Sequence, residues 1–384
     1  MSQLKFTLKD PNTNWKYLLI VIVLASIAGG GILSYQCWLT QKETEIPFIS
    51  PVVEKQPKLS LVGSVELRNK EVDILYLSGK YAYIGKAKNL LEIVDVSNPS
   101  QPVIIGSEVL AVDMEQIDFY VSGNLLYIAG DSGIGIIDIS DPRKPHWISG
   151  GYDNQGVVGR CSTGIDNYLF LGTTNGLLIL DISNPTKPVL VGSYKGGIYD
   201  NNVYDKLWVD DIDISGNYVY VVGSHSSSKE GIKSDTFLIF DVSDKTKPVL
   251  VGRDNTLTLP RAIYIVNKTA YITELGSEEG QRALKIFDVS DPTNITLLGS
   301  YSQKEWAENI FVKDVYVLGQ YAFVSYTNGL LVLGISNPAK PTLIEDISGS
   351  PQAITGSGNY IYSVIPNPDK YGSSILQIFE IKYK

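Results

Sequence analysis

The sequence predicts an all-β fold, a seven-bladed β-propeller of four-stranded blades closed by an N-terminal strand and preceded by one transmembrane helix. Three observations carry that prediction. Strings related to SGNYVYVV recur seven times, each is followed by a string related to LLILDISNP, and one uncharged run of 25 residues, Tyr17 to Gln41, stands near the N-terminus. Composition agrees with the first two: 35 Gly, 18 Pro and 24 Tyr favour short strands joined by tight turns over long solvated helices.

The uncharged run comes first along the chain. At about 1.5 Å per residue a helix of this length crosses a hydrocarbon core. Trp15 and Tyr17 at one end and Tyr35 and Trp38 at the other place amphipathic rings at both headgroup levels. The run continues past Ala25, Ser26, Ile27 and Ala28, a weak match to a cleavage site, so a retained signal anchor is expected. Lys5, Lys9 and Lys16 precede the span, while Lys42, Lys55 and Lys58 follow it, so flanking charge does not set the orientation. The layout does: residues 1–16 form a short stub, expected in the cytoplasm, and the large domain follows the span. Residues 42–57 hold Pro47, Pro51 and Pro57 among Glu and Lys, a semi-rigid stalk. The expected address is the cytoplasmic membrane, single-pass, with the propeller at residues 58–384 outside.

Within that domain the aromatic landmarks Tyr83, Tyr127, Phe170, Tyr220, Tyr271, Phe323 and Tyr362 recur at the spacing of a propeller blade. Each lies in an apolar alternating run that follows a turn dipeptide tolerant of positive φ, the signal of a hairpin made from strands A and B. Strand C reads LEIVDVSNP at 91–99, IGIIDISDP at 134–142 and LLILDISNP at 177–185, with related strings in later blades. Strand D reads PVIIGS at 102–107, PVLVGS at 188–193 and PVLVGR at 248–253. The seventh blade lacks a D strand after its C strand, and LSLVGS at 59–64 matches one. That N-terminal strand is expected to complete the last blade, since a closed ring leaves no broken sheet edge.

The strings LEIVDVSNPSQPVIIG and LLILDISNPTKPVLVG resemble the LVIVD repeat of bacterial and archaeal surface proteins. The resemblance covers residues 59–384, with departures at the blade 4 insertions, at Gly334 in place of the strand C Asp, and at Ile295 in place of a Pro. It implies an extracytoplasmic propeller and carries over no catalytic residue.

Several classes of chemistry are excluded or disfavoured. Two Cys and two His leave little for a disulfide framework or a zinc site, and no metal or cofactor is expected. A net charge of -9 without a basic stripe disfavours nucleic acid. Gly130, Asp131, Ser132 and Gly133 spell a protease-like string but fall in a loop between strands B and C and read as a turn. The strand C aspartates Asp95, Asp138, Asp181, Asp241 and Asp288, one per blade at a fixed place, read as a repeated structural contact.

Loop lengths point to a face. The A-to-B and C-to-D turns are short and uniform, while insertions at 194–208, 223–236, 273–283, 300–311 and 364–374 all fall on the opposite face, where function is expected. Trp208 and Trp306 are candidate anchors on D-to-A loops; packing at a loop base is the alternative for each. The starts of the A strands supply Asp73, Asp118, Arg160, Asp210, Asp211, Arg261, Lys313 and Asp314 near the axis, either to bind a ligand or to line a water-filled channel. The reading is a recognition or interaction module for an unknown protein or glycan ligand. The competing reading is a hydrolase or lyase acting on a glycan or peptide at the channel mouth, recognisable by titratable groups with strongly displaced pKa values gathered in one concave site.

Overall fold

The computed structural model describes residues 57–383, apart from 70, 86–89, 111–116, 131–132, 149–157, 196–197, 200–202, 228–231, 277–282 and 303–310. These residues form seven antiparallel sheets and no helix. Each sheet runs A-B-C-D from the axis outward. Blade 1 contains Ile74–Ser78, Tyr81–Gly85, Leu90–Asp95 and Val103–Val109. In blade 7, Ala353–Ser357, Tyr360–Pro366 and Ser374–Tyr383 are followed in space by Pro57–Leu67, which pairs antiparallel with the last of them, Leu59 opposite Ile381 and Ser64 opposite Gln377. The expected membrane span at 17–41 and stalk lie outside the described residues. Among the described residues no helix is long and apolar enough to cross a membrane.

Alternation along the strands decides where the core lies. Side chains of successive residues point to opposite faces of a blade, and each face meets the neighbouring blade. The buried apolar residues accordingly fall into seven clusters, one between each adjacent pair of blades. Tyr83, Ile93, Phe119 and Ile128 join blades 1 and 2, and Ala82, Ile84, Tyr362 and Leu376 join blades 1 and 7. The protein thus has an annular core, divided into seven apolar wedges.

The repeated polar residues hold the short-turn face. Every A-to-B turn places its first residue at positive φ, from Gly79 (58°) to Asn267 (51°), the conformation that favours Gly, Asn and Asp. The second turn residue then presents its carbonyl to strand C: Lys80 accepts from the N–H of Val96 at 2.9 Å, Asn124 from Ile139 at 2.9 Å and Asn217 from Val242 at 2.8 Å. The strand C aspartates bind the serine two residues on. Asp95 Oδ1 accepts from the backbone N–H and hydroxyl of Ser97, and Asp138, Asp181, Asp241 and Asp288 accept the corresponding N–H. These bonds hold the Asp95, Asp138, Asp181 and Asp288 carboxyls below the ordinary carboxylate value.

The glycine of strand D is required by the next blade. A Cβ on Gly63, Gly106, Gly192, Gly252 or Gly299 would lie inside contact distance of the backbone carbonyl of Pro99, Pro142, Lys245, Pro292 or Pro338, each in the C-to-D turn of the following blade. Two junctions depart from this rule. In blade 2, strand D shrinks to His146–Trp147, and the Tyr127 hydroxyl donates to the Pro185 carbonyl of blade 3 at 3.1 Å. In blade 6, Glu345 replaces the glycine and accepts from the Leu59 N–H of the strand beside Ser374–Tyr383.

The blade contact gives a direct expectation. Gly252→Ala should destabilise the ring by roughly 1–3 kcal/mol, because an added methyl must push a backbone carbonyl rather than a flexible side chain. Gly349→Ala, whose Cβ would meet nothing within 4 Å, should be close to neutral. Chemical denaturation of the two variants measures the difference; equal midpoints would remove this contact from the account.

Candidate functional site

The A strands build two layers of charge around the axis, and bulges separate them. Pairing between strands A and B shifts register between Gly159 and Cys161, between Val209 and Asp211, between Pro260 and Ala262, and between Val312 and Val315. A bulge inserts a residue without a cross-strand partner and redirects its side chain. The residues released in this way are Arg160, Asp210 and Arg261 in blades 3 to 5 and Lys313 in blade 6. All four line a cavity of about 560 Å³ at the start of the A strands, with Glu71 and Asp73 of blade 1 and Gln352 of blade 7. Phe311 and the aliphatic Val72 and Val312 complete the wall.

Arg160 is held in place from three sides. Its guanidinium donates to Asp210 Oδ1 at 3.0 Å, its Nε donates to the Val209 carbonyl at 3.0 Å, and its plane lies 4.7 Å from the ring of Trp208. Burial pushes the Asp210 carboxyl up, and the charges of Arg160 and Arg261 pull against that shift. Lys313 donates to the Pro351 carbonyl at 3.0 Å, and burial lowers its pKa. Arg261 is exposed on the cavity wall.

Below this rim lies a second layer that performs a different task. Asp118, Asp211 and Asp314, in blades 2, 4 and 6, each accept the N–H of their own following residue with one oxygen and an N–H of the next blade with the other. Asp118 binds Phe119 and Ser162, Asp211 binds Ile212 and Ile263, and Asp314 binds Val315 and Ile354. The innermost strand of a blade has N–H groups that no strand on its axial side can satisfy, and these carboxylates supply the acceptor. Asp213 repeats the arrangement one rung further along the strand, to Ile214 and Ile265. Burial pushes Asp118, Asp213 and Asp314 up to about 6 and Asp211 well above the ordinary value, opposed by the N–H bonds.

The sequence-based candidates therefore divide. Arg160, Asp210, Arg261 and Lys313 meet at the cavity, as does Asp73; Glu71 and Gln352 join them unforeseen, although Gln352 stands in the same place in its A strand as Arg160 and Lys313. Asp211, expected at the site, is a blade clamp, because both of its oxygens are engaged by backbone. Trp208, expected on a loop, lies within strand A of blade 4, Val203–Ser215, opposite Ser224. Its neighbours Leu207 and Val209 are buried, and its ring faces the cations of Arg160 and Lys206. Trp306 lies outside the described residues. The insertions of blade 4 extend the sheet instead of forming loops, with strand B at Tyr218–Ser227, strand C at Ile232–Asp241, and Ile198–Tyr199 added beside Val203.

This architecture and the repeated strings agree with the comparisons. Residues 71–108, 117–152, 165–196, 208–256, 279–303 and 311–347 match the LVIVD repeat, and the chain belongs to that family. No curated protein matches the chain. Among solved structures it is similar to the β-propeller domain of Cps50 (Swd1) from Myceliophteria thermophila, with 10% identity, TM-score 0.56, and 83% of this chain and 99% of that one covered. It is also similar to BamB from Moraxella catarrhalis, with 13% identity, TM-score 0.54, and coverages of 85% and 99%. A protein from Lactobacillus plantarum gives 13%, 0.55, 83% and 99%. At these identities the likeness is one of fold.

The buried carboxylates set a pH dependence. Their pKa values are higher in the folded chain than the roughly 4 of an unfolded Asp, so their contribution to stability is full below about pH 4 and is lost as pH rises through about 6. Asp314→Asn keeps an acceptor and removes the titration. The difference in unfolding free energy between wild type and Asp314→Asn should change across pH 4 to 6.5 and be flat above it; a difference constant over that window would mean that Asp314 titrates like an exposed carboxyl.

Proposed function

We propose that the protein is a membrane-anchored recognition module, whose binding surface is the face bearing the charged cavity and the extended hairpin strands of blade 4. The observation that carries the reading is the division of labour between the two faces. On one, hydrogen bonds tie the short A-to-B turns to the ends of the C strands in all seven blades, and little is left to vary. On the other, the blade 4 strands are lengthened, and side chains of both signs gather around a cavity. A rigid scaffold that varies at one end is suited to recognition.

Recognition is favoured over hydrolysis or lysis by where the displaced carboxylates lie. Asp118, Asp211 and Asp314 have both oxygens engaged by backbone N–H groups, and Asp210 is paired with Arg160. A general acid or base needs an oxygen within reach of a substrate proton.

Two finer features belong to this proposal. The uncharged run at 17–41 would hold the ring at the outer side of the cytoplasmic membrane. The strand Pro57–Leu67 would serve as the latch of the ring, supported by its ten register partners along Ser374–Tyr383 and by Glu92, which accepts from the N–H groups of Arg68 and Asn69 immediately after it. An export-dependent reporter fused after Lys384 should be active in cells. Activity of a cytoplasm-dependent reporter alone would reverse the topology.

Partner capture tests the face. With full-length protein in detergent and solubilised membranes as the source of partner, Trp208→Ala should lower capture at least several-fold, as loss of an interface anchor does. Lys144→Ala and Lys187→Ala, in the short turns, should leave capture and folding unchanged. The opposite pattern would place recognition on the short-turn face.

A further inference from the structure

On the short-turn face a groove of about 320 Å³ opens between blades 1 and 2, walled by their A-to-B turns and by the start of the C-to-D turn of blade 2. Tyr83 reaches its lining although the residue is only 3% exposed and its ring packs in the apolar wedge between the two blades. The equivalent residue one blade on shows where such a hydroxyl points: Tyr127 donates to the Pro185 carbonyl in the following C-to-D turn. In blade 1 the corresponding carbonyl, that of Pro142, approaches Gly106, and among the described residues the Tyr83 hydroxyl has no hydrogen-bond partner. Burial pushes its pKa up to about 12, so at neutral pH it is a donor facing the groove. Beside it stands half-buried Tyr81, with the Lys80 ammonium 5.3 Å from the ring centroid. That pair is peculiar to blade 1: the other six turns read Asn-Leu, Asn-Tyr, Asn-Tyr, Lys-Thr, Gln-Tyr and Asn-Tyr at the same two positions.

We infer that this groove binds one neutral pyranose ring, its C–H face on Tyr81 and its hydroxyls toward Tyr83, Asn124 and Ser140. The site lies on the face opposite the charged cavity and is independent of the recognition reading. A buried hydroxyl without a partner is unfavourable, so a wholly apolar ligand is rejected and one that accepts from Tyr83 is preferred. An anion gains little, because Lys80 and Arg143 already act on Asp95, which stays charged opposite Tyr81. A peptide strand finds no main-chain acceptor in the turns, whose Lys80 and Asn124 carbonyls accept from Val96 and Ile139. What remains is an aromatic face among neutral side-chain donors and acceptors, which a sugar matches with one C–H face and a rim of hydroxyls. About 320 Å³ lies at the small end of ligand sites, room for one ring.

The test uses the full-length protein in a zwitterionic, sugar-free detergent and the methyl glycosides of glucose, galactose, mannose and N-acetylglucosamine, followed by saturation-transfer NMR. At least one glycoside should bind with a dissociation constant of about 1 mM, as roughly a dozen non-hydrogen atoms allow. Tyr83→Phe, which removes only the hydroxyl and keeps the packed ring, should weaken that binding about threefold to tenfold, the loss of one hydrogen bond. Tyr81→Leu, which installs the residue type that blade 2 carries at the same place, should weaken it at least several-fold. Added salt should leave the binding of a neutral ring unchanged. No saturation transfer to any of the glycosides at many times that concentration would overturn the inference. Binding that Tyr83→Phe leaves untouched would overturn it as well, and tighter binding of methyl glucuronide than of every neutral glycoside would make the groove an anion site instead.

Discussion

The close approach of each outer-strand glycine to the carbonyl at the next blade's turn is the contact on which the ring depends. A blade cannot bury either face alone, so its stability is set by its neighbours. The glycines at 63, 106, 192, 252 and 299 let neighbouring blades meet backbone to backbone at the rim, while the seven apolar wedges form behind that contact. In four of these five turns, those offering the carbonyls of Pro99, Pro142, Lys245 and Pro292, the strand C aspartate and the serine after it fix the turn. The repeated string is therefore a set of instructions for docking one blade on another, and the aspartate that invited a catalytic reading is one of those instructions.

Near the axis the same problem is solved with charge. Innermost strands have N–H groups with no strand beside them, and aspartates in alternate blades provide acceptors across the junction. Burying carboxylates is unfavourable, which is why burial raises their pKa values, and two N–H bonds to each make the arrangement tolerable. The bulges turn Arg160, Asp210, Arg261 and Lys313 toward the cavity, and in blades 4 and 6 the residue so turned, Asp210 or Lys313, immediately precedes the clamp, Asp211 or Asp314. In those two blades a clamping charge and a cavity charge are stacked along the axis, a single residue apart in sequence.

That spacing explains what was legible in the sequence and what was not. Strand order, turn positions and the face with variable lengths followed from alternation, from Gly and Asn at positive φ, and from insertion lengths. Asp210 and Asp211 could not be told apart, because a bulge is a tertiary feature with little local signature. Trp208 was assigned to a loop on the length of its insertion. The strand signal there is the placing of Leu207 and Val209 two residues apart and flanked by the charged Lys206 and Asp210. Gln352 occupies the A-strand position of Arg160 and Lys313 but carries no charge to mark it, and Glu71 precedes its A strand, so only the ring geometry brings Glu71 to the cavity.

The claim beneath all of this is that blades at the two ends of the chain form one ring, with Pro57–Leu67 serving as the outer strand of the blade that holds Ser374–Tyr383. Register makes it measurable: Ser64 stands opposite Gln377. Paired cysteines at directly opposed positions lie close to the Cβ separation that a disulfide needs. In full-length protein with Cys37→Ser, the pair Ser64→Cys and Gln377→Cys should cross-link under native, mildly oxidising conditions. The pair Ser64→Cys and Glu380→Cys, three residues out of register, should not. Failure of the first pair, or equal cross-linking of both, would contradict the ring.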